Sequence, residues 1–142
     1  VYAECGGLMY LARSLSWRGQ TSRMVGVIGG DVVMHDSPVG RGYVTLCETG
    51  SSLWPAIGED SKGELRAHEF HYSSLENLSD DTVFAYRVLR GHGVDGQHDG
   101  IVYKNLLASY THLHSLRANN WAARFVAFVG SVKSTQRHEQ AV

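Results

Sequence analysis

With 142 residues, 43% of them hydrophobic and 19% charged, the chain has the make-up of one globular domain with a real core. Its formal net charge of −1 gives no basic excess for a nucleic-acid groove or an anionic lipid surface, and no apolar run approaches bilayer-spanning length. No nucleic-acid or membrane partner is therefore expected, and with no charged, apolar leader in these residues a cytoplasmic location is expected. Two cysteines, Cys5 and Cys47, are too few for a disulfide framework. Val1 opens the chain inside a strand-like run with no initiator Met, so these residues are expected to be a piece of a longer polypeptide.

The first predicted element is a short strand that ends on Cys5, with Gly6 and Gly7 immediately behind it. A thiol on a sharp strand-to-helix turn is lifted clear of the sheet, and the glycines let the backbone turn. The amides opening the helix then face whatever the sulfur attacks, and their partial positive charge favours the thiolate. Leu8, Leu11, Ala12 and Leu15 recur at helical spacing and predict a helix that ends near residues 17–19. The competing reading makes Cys5 a small buried hydrophobe.

Residues 24–28, 31–35 and 40–48 read as strands separated by glycine and proline turns. Cys47 is expected to fill core. Residues 49–63, with Pro55 and further glycines, read as an exposed loop. Residues 64–73 alternate Leu65, Ala67, Glu69 and His71 on one side with Arg66, His68, Phe70 and Tyr72 on the other, a strand with both faces partly polar. Two more strands, 82–89 and 100–107, flank a connection over 90–100 that holds four glycines, the last of them opening the second strand. A helix capped by Asn119 or Asn120 carries Trp121, Phe125, Phe128 and Val129 on one stripe and is predicted to stop at Gly130. Residues 131–142 are expected to form a disordered polar tail, leaving 1–130 as the folded part.

A cysteine nucleophile needs a base, and the strand-end histidines His112, His114, His68 and His71 are the candidates. Tyr110, His112 and His114 share one face of an extended chain, while His35, His92, His98 and His138 read as solvent-exposed.

Three motifs, Tyr-Ala-Glu-Cys-Gly-Gly-Leu-Met-Tyr-Leu at 2–11, His-Glu-Phe-His-Tyr-Ser at 68–73 and Ala-Ser-Tyr-Thr-His-Leu-His at 108–114, occur in order across nearly the whole chain. Together they closely resemble the C-terminal glutamine amidotransferase domain of the cobyrinic acid a,c-diamide synthase family and, more distantly, that of cobyric acid synthase. The resemblance implies an α/β, partial class I amidotransferase fold: a nucleophile strand, elbow and helix, then a mostly antiparallel β region and a C-terminal helix. It implies a glutaminase in which Cys5 attacks the glutamine amide carbon, His112 activates Cys5 and protonates the ammonia, and the Gly6 amide is one oxyanion donor.

In the wider class an acid lies two residues after the histidine, where this chain has His114, so a Cys and His dyad is expected. His114 and Glu69 are the candidate supporting groups. His68, His71 and Tyr72 belong to a motif that either binds substrate or packs a polar strand against a neighbouring domain. The second oxyanion donor comes, in the class, from a glycine-rich loop of an earlier strand, which no residue ahead of Cys5 supplies. The isolated residues are therefore expected to be nearly inactive.

The family's N-terminal domain uses ATP and magnesium to activate a corrinoid carboxylate. No cofactor is expected within this chain, which lacks a Gly-x-x-x-x-Gly-Lys-Ser/Thr pattern. A truncated sheet would also leave the Cys5 strand as an open edge, so homo-oligomers are expected. The rival readings are a metal-binding module using His68, His71, His112 and His114, and a non-catalytic fragment.

Overall fold

A computed structural model describes residues 1–55, 64–114 and 120–139, with side chains described through residue 136. Tyr2–Glu4 forms β1, Cys5 makes the turn, and Gly6–Leu11 forms α1. The helix is far shorter than its apolar spacing predicts, because Ser14–Trp17 (β2) and Gln20–Arg23 (β3) pair as a hairpin. Arg18 and Gly19 form its two-residue loop with φ of 49° and 73°, the left-handed pair that suits a tight hairpin. Leu15 still packs on the core from β2, so its spacing satisfies a helical and an extended pattern alike.

Residues 24–28 form no strand; they terminate α1 instead. The amides of Val25, Gly26 and Ile28 donate to the carbonyls of Tyr10, Ala12 and Leu11 at 3.1, 2.8 and 2.9 Å, so carbonyls that the helix end leaves open find partners.

The remaining strands are β4 (Asp31–Met34), β5 (Gly40–Glu48), β6 (Glu64–His71), β7 (Ser73–Glu76), β8 (Val83–Arg90), β9 (His98–Tyr103), β10 (Leu106–Ser109) and β11 (His112–Leu113). The predicted strand over 64–73 therefore breaks at Tyr72, and that over 100–107 is a hairpin turning at Lys104, whose φ is 50°. Loop 49–63 is anchored rather than simply exposed, since Trp54 is buried in the core; residues 56–63 lie outside the described residues.

Seven strands form one sheet in the order β1-β10-β9-β8-β5-β6-β11, with β1 and β10 parallel and the other pairs antiparallel. A second sheet, β3-β2-β4-β7, packs with α1 on one face of the first, around Ala3, Leu8, Val32, Leu75, Ile101 and Tyr110. On the other face Val44, Leu46, Leu65, Tyr86, Leu107 and Leu113 pack against Trp121, Phe125 and Phe128 of the C-terminal helix α2 (Trp121–Glu139). Leu8, Leu46 and Leu107 are fully buried, and such a side chain contributes about 1.5–3 kcal/mol.

Two expectations for α2 fail. Val129 is exposed, and the helix passes Gly130 to reach Glu139, where a disordered tail was expected. One interior glycine costs a helix only about 1 kcal/mol, and the hydroxyls of Ser131, Ser134 and Thr135 bond back to carbonyls one turn earlier.

Candidate active site

Cys5 sits between β1 and α1 with φ 46° and ψ −103°, a positive-φ conformation outside the regions open to L residues and therefore strained. Both flanks hold it there. Its amide donates to Ser109 O at 2.7 Å, and its carbonyl accepts from Met9 in the first turn of the helix at 3.0 Å. At Gly7 an added Cβ would come within 3.2 Å of Ala3 Cβ, so the missing side chain lets α1 lie close against its own strand. Burial pushes the Cys5 thiol up from its ordinary value; the Gly6 amide pulls the other way and the Glu4 charge adds to the rise. The expected help from the helix start is real but is outweighed by burial, so the sulfur needs a base to become a nucleophile.

The β1–β10 pairing sets Glu4 opposite Ser109, and two residues further on the chain bends and reappears as β11. That bend carries His112 back to β1. Its Nδ1 lies 3.3 Å from Glu4 Oε2, while Glu4 Oε1 accepts from the Leu113 amide at 2.9 Å and from the Tyr2 hydroxyl. The first and last strands of the seven-stranded sheet thus meet at the residue that precedes Cys5. His112 is half-buried, with Nε2 the ring nitrogen that Glu4 does not engage.

The bend at residues 110–111 is held from inside. Asp99, fully buried, accepts the amides of Tyr110 and Thr111 at 3.0 Å each. Burial pushes its carboxyl up, and donors on Thr111, Gly100 and Tyr110 oppose that shift. Asp99→Asn is expected to lower stability by about 1–3 kcal/mol, since an amide offers one acceptor where two N–H groups need one each. Denaturant unfolding measures this, and an unchanged midpoint would refute it.

The motif at 68–73 forms a second buried brace. His71 stacks on Tyr110 with ring centroids 4.0 Å apart and donates through Nδ1 to Ser73 O at 2.8 Å. Ser73 Oγ donates to the Tyr110 hydroxyl at 2.9 Å and meets Met9 Sδ at 3.6 Å. Glu69 accepts the amides of His92 and Gly93 at 2.8 and 2.9 Å and faces His71 Nε2 at 3.6 Å. This cluster joins β6, the 91–93 turn, α1 and the chain just before His112.

Against this geometry, residues 1–120 match the CobB/CobQ-like glutamine amidotransferase domain. The chain belongs to that family. Proteins named cobyrinate a,c-diamide synthase resemble it: that of Magnetococcus marinus is 44% identical over 128 residues, 90% of this chain and 27% of its own length. Those of Halobacterium salinarum (44% over 115 residues, 80% of the chain and 25% of the relative) and Archaeoglobus fulgidus (40% over 126 residues, 89% and 26%) are similar. The chain spans about a quarter of the length of these curated relatives. A solved structure described as a GMP synthase subunit, from Thermoplasma acidophilum, superposes with a TM-score of 0.61 at 18% identity, covering 96% of this chain and 60% of that one. The amidotransferase domain therefore has the class I fold, as its motifs lead one to expect.

Several predicted site residues of the amidotransferase domain lie elsewhere than the sequence suggests. The carboxylate at His112 is that of Glu4, while both oxygens of Glu69 serve the 92–93 amides and His71. His114 is exposed beyond β11, and Tyr110 is fully buried before the bend, so Tyr110, His112 and His114 do not share one face. His68 pairs in register with His112 across β6 and β11, and Tyr72 is exposed beside Phe70. Among the described residues no three His, Cys, Asp or Glu side chains converge as metal ligands, which fits the metal-module reading poorly. His35 is exposed as expected, whereas His92 and His98 are half-buried and His98 stacks on Phe84; the side chain of His138 lies outside the described residues. Cys47 is half-exposed rather than core. Among the described residues no helix is long and apolar enough to cross a membrane.

Sequence reasoning misses Glu4, Asp99 and Ser73. For Glu4 a signal exists: a carboxylate two residues from Tyr2 shares its strand face, and a charge there needs a partner.

Proposed function

We propose that Cys5 and His112 hydrolyse glutamine through a thioester, and that the ammonia serves a,c-diamidation of cobyrinic acid in cobalamin biosynthesis. The observation that carries this is the strained turn at Cys5 beside the Glu4–His112 pair, in a domain of this family. His112 Nε2 takes the thiol proton as Sγ bonds to the amide carbon, and the Gly6 amide donates to the oxygen that gains charge. The imidazolium then gives its proton to the amide nitrogen, the C–N bond breaks and ammonia leaves. Water, losing a proton to His112, cleaves the thioester and releases glutamate with Cys5 restored.

ATP and magnesium are proposed to act on residues outside this chain, as is the corrinoid acceptor. The second oxyanion donor would come from the same source, and losing one such donor costs roughly a hundredfold to a thousandfold. The 142 residues alone would then turn over glutamine very slowly. A cytoplasmic location is proposed as well, and β1, at one end of the sheet order, supports self-association as a further proposal.

A glutamine-analogue electrophile tests the reading. It is expected to label Cys5 in the complete polypeptide, to be blocked by excess glutamine and to spare Cys47. Mass spectrometry that finds both sulfurs labelled alike, or Cys5 unlabelled, would overturn it.

A further inference from the structure

We propose that Glu4 is the positioning residue for His112, replacing the acid that is missing two residues after that histidine; this rests on the glutaminase reading above. A carboxylate at 3.3 Å from Nδ1 only accepts, so it selects the tautomer with its proton on Nδ1 and leaves the Nε2 lone pair to take a proton. The carboxylate is itself fixed. Oε1 is occupied by two donors, the Leu113 amide and the Tyr2 hydroxyl, which leaves Oε2 for the imidazole.

Tyr2 is held in turn. Its ring lies 4.9 Å from that of Trp54 and 5.1 Å from that of Trp121, which connects the acid to the packing of α2. Arg124 pins the same helix to β5 through Glu48 at 2.6 Å. A relay therefore runs from α2 through Tyr2 and Glu4 to His112, and each link is a contact between side chains whose motion is restricted by packing. Two consecutive residues, the last of β1 and the turn after it, then supply two parts of the machinery: Cys5 the sulfur and Glu4 the orientation of its base.

Glu4→Gln separates this role from a structural one. The two donors to Oε1 hold the amide oxygen, so the NH2 group faces Nδ1 and forces the proton onto Nε2, the wrong tautomer for a base. In the complete polypeptide, kcat for glutamine hydrolysis is expected to fall roughly a hundredfold to ten-thousandfold, with KM and the thermal midpoint little changed. Glu4→Asp, still an acceptor, is expected to recover part of the loss. Nitrogen-15 NMR of labelled histidine should show the His112 proton on Nδ1 in the natural protein and on Nε2 in Glu4→Gln. Wild-type kcat in Glu4→Gln, an unmoved tautomer, or equal losses in Glu4→Gln and Glu4→Asp would overturn the proposal. A folded natural protein that hydrolyses no glutamine would instead sink the glutaminase reading, and the tautomer measurement would still decide the role of Glu4.

Discussion

Cys5→Ala is expected to abolish glutamine hydrolysis above background, and His112→Ala to do nearly as much. In a comparable nucleophile and base pair, removing either member costs on the order of a millionfold in kcat, and removing both costs little more. The double variant is therefore expected to match the single ones. Additive losses would mean that the two side chains do not work as one unit, although the Glu4–His112 contact brings β1 and β11 together. Burial pushes the Cys5 thiol up, so without an acceptor for its proton the sulfur stays protonated near neutral pH. Cys47→Ser, on β5 away from this contact, is the control and is expected to retain wild-type turnover. Folding is not the cause of the loss if the thermal midpoint of His112→Ala stays within a few degrees of wild type, since its ring is only half-buried.

The parts of the fold that the sequence makes legible are those governed by local rules. Residues 40–48 carry alternation, and their bounds as β5 coincide with the prediction. Cysteine before two glycines announces the turn after β1 in the same way. Where a local pattern is double, tertiary pairing decides: Leu15 fits a helix by spacing, yet Arg18 and Gly19 supply a hairpin loop that pairs β2 with β3.

Relations between strands remote in sequence are not legible. Nothing within residues 1–5 says that Glu4 will face position 112, because that contact depends on the parallel β1–β10 pairing and on the bend that follows. Asp99 reads as an ordinary turn residue among glycines and is instead a buried acceptor for two amides. In the motif at 68–73, Glu69 and His71 are buried on one side while Phe70 is exposed on the other; the sequence shows the alternation but not the partners.

Gly40→Ala is expected to be strongly destabilising, at about 3 kcal/mol, lowering the thermal midpoint by roughly 10 °C. A Cβ at Gly40 would lie 2.1 Å from His71 Nε2 and 2.8 Å from Glu69 Cδ. Neither can retreat. The His71 ring is stacked on Tyr110 and tied through Nδ1 to Ser73 O, and Glu69 is held by the amides of His92 and Gly93. Gly29→Ala, where an added Cβ meets nothing within 4 Å, is the matched control and is expected to stay within about 0.5 kcal/mol of wild type. Removing the obstacle should also soften the effect, so Gly40→Ala combined with His71→Ala is expected to cost less than the sum of the two changes. A Gly40→Ala midpoint equal to wild type would mean that β5 and β6 are not packed this closely. The brace under Tyr110 would then be too loose to set the bend that delivers His112 to Glu4.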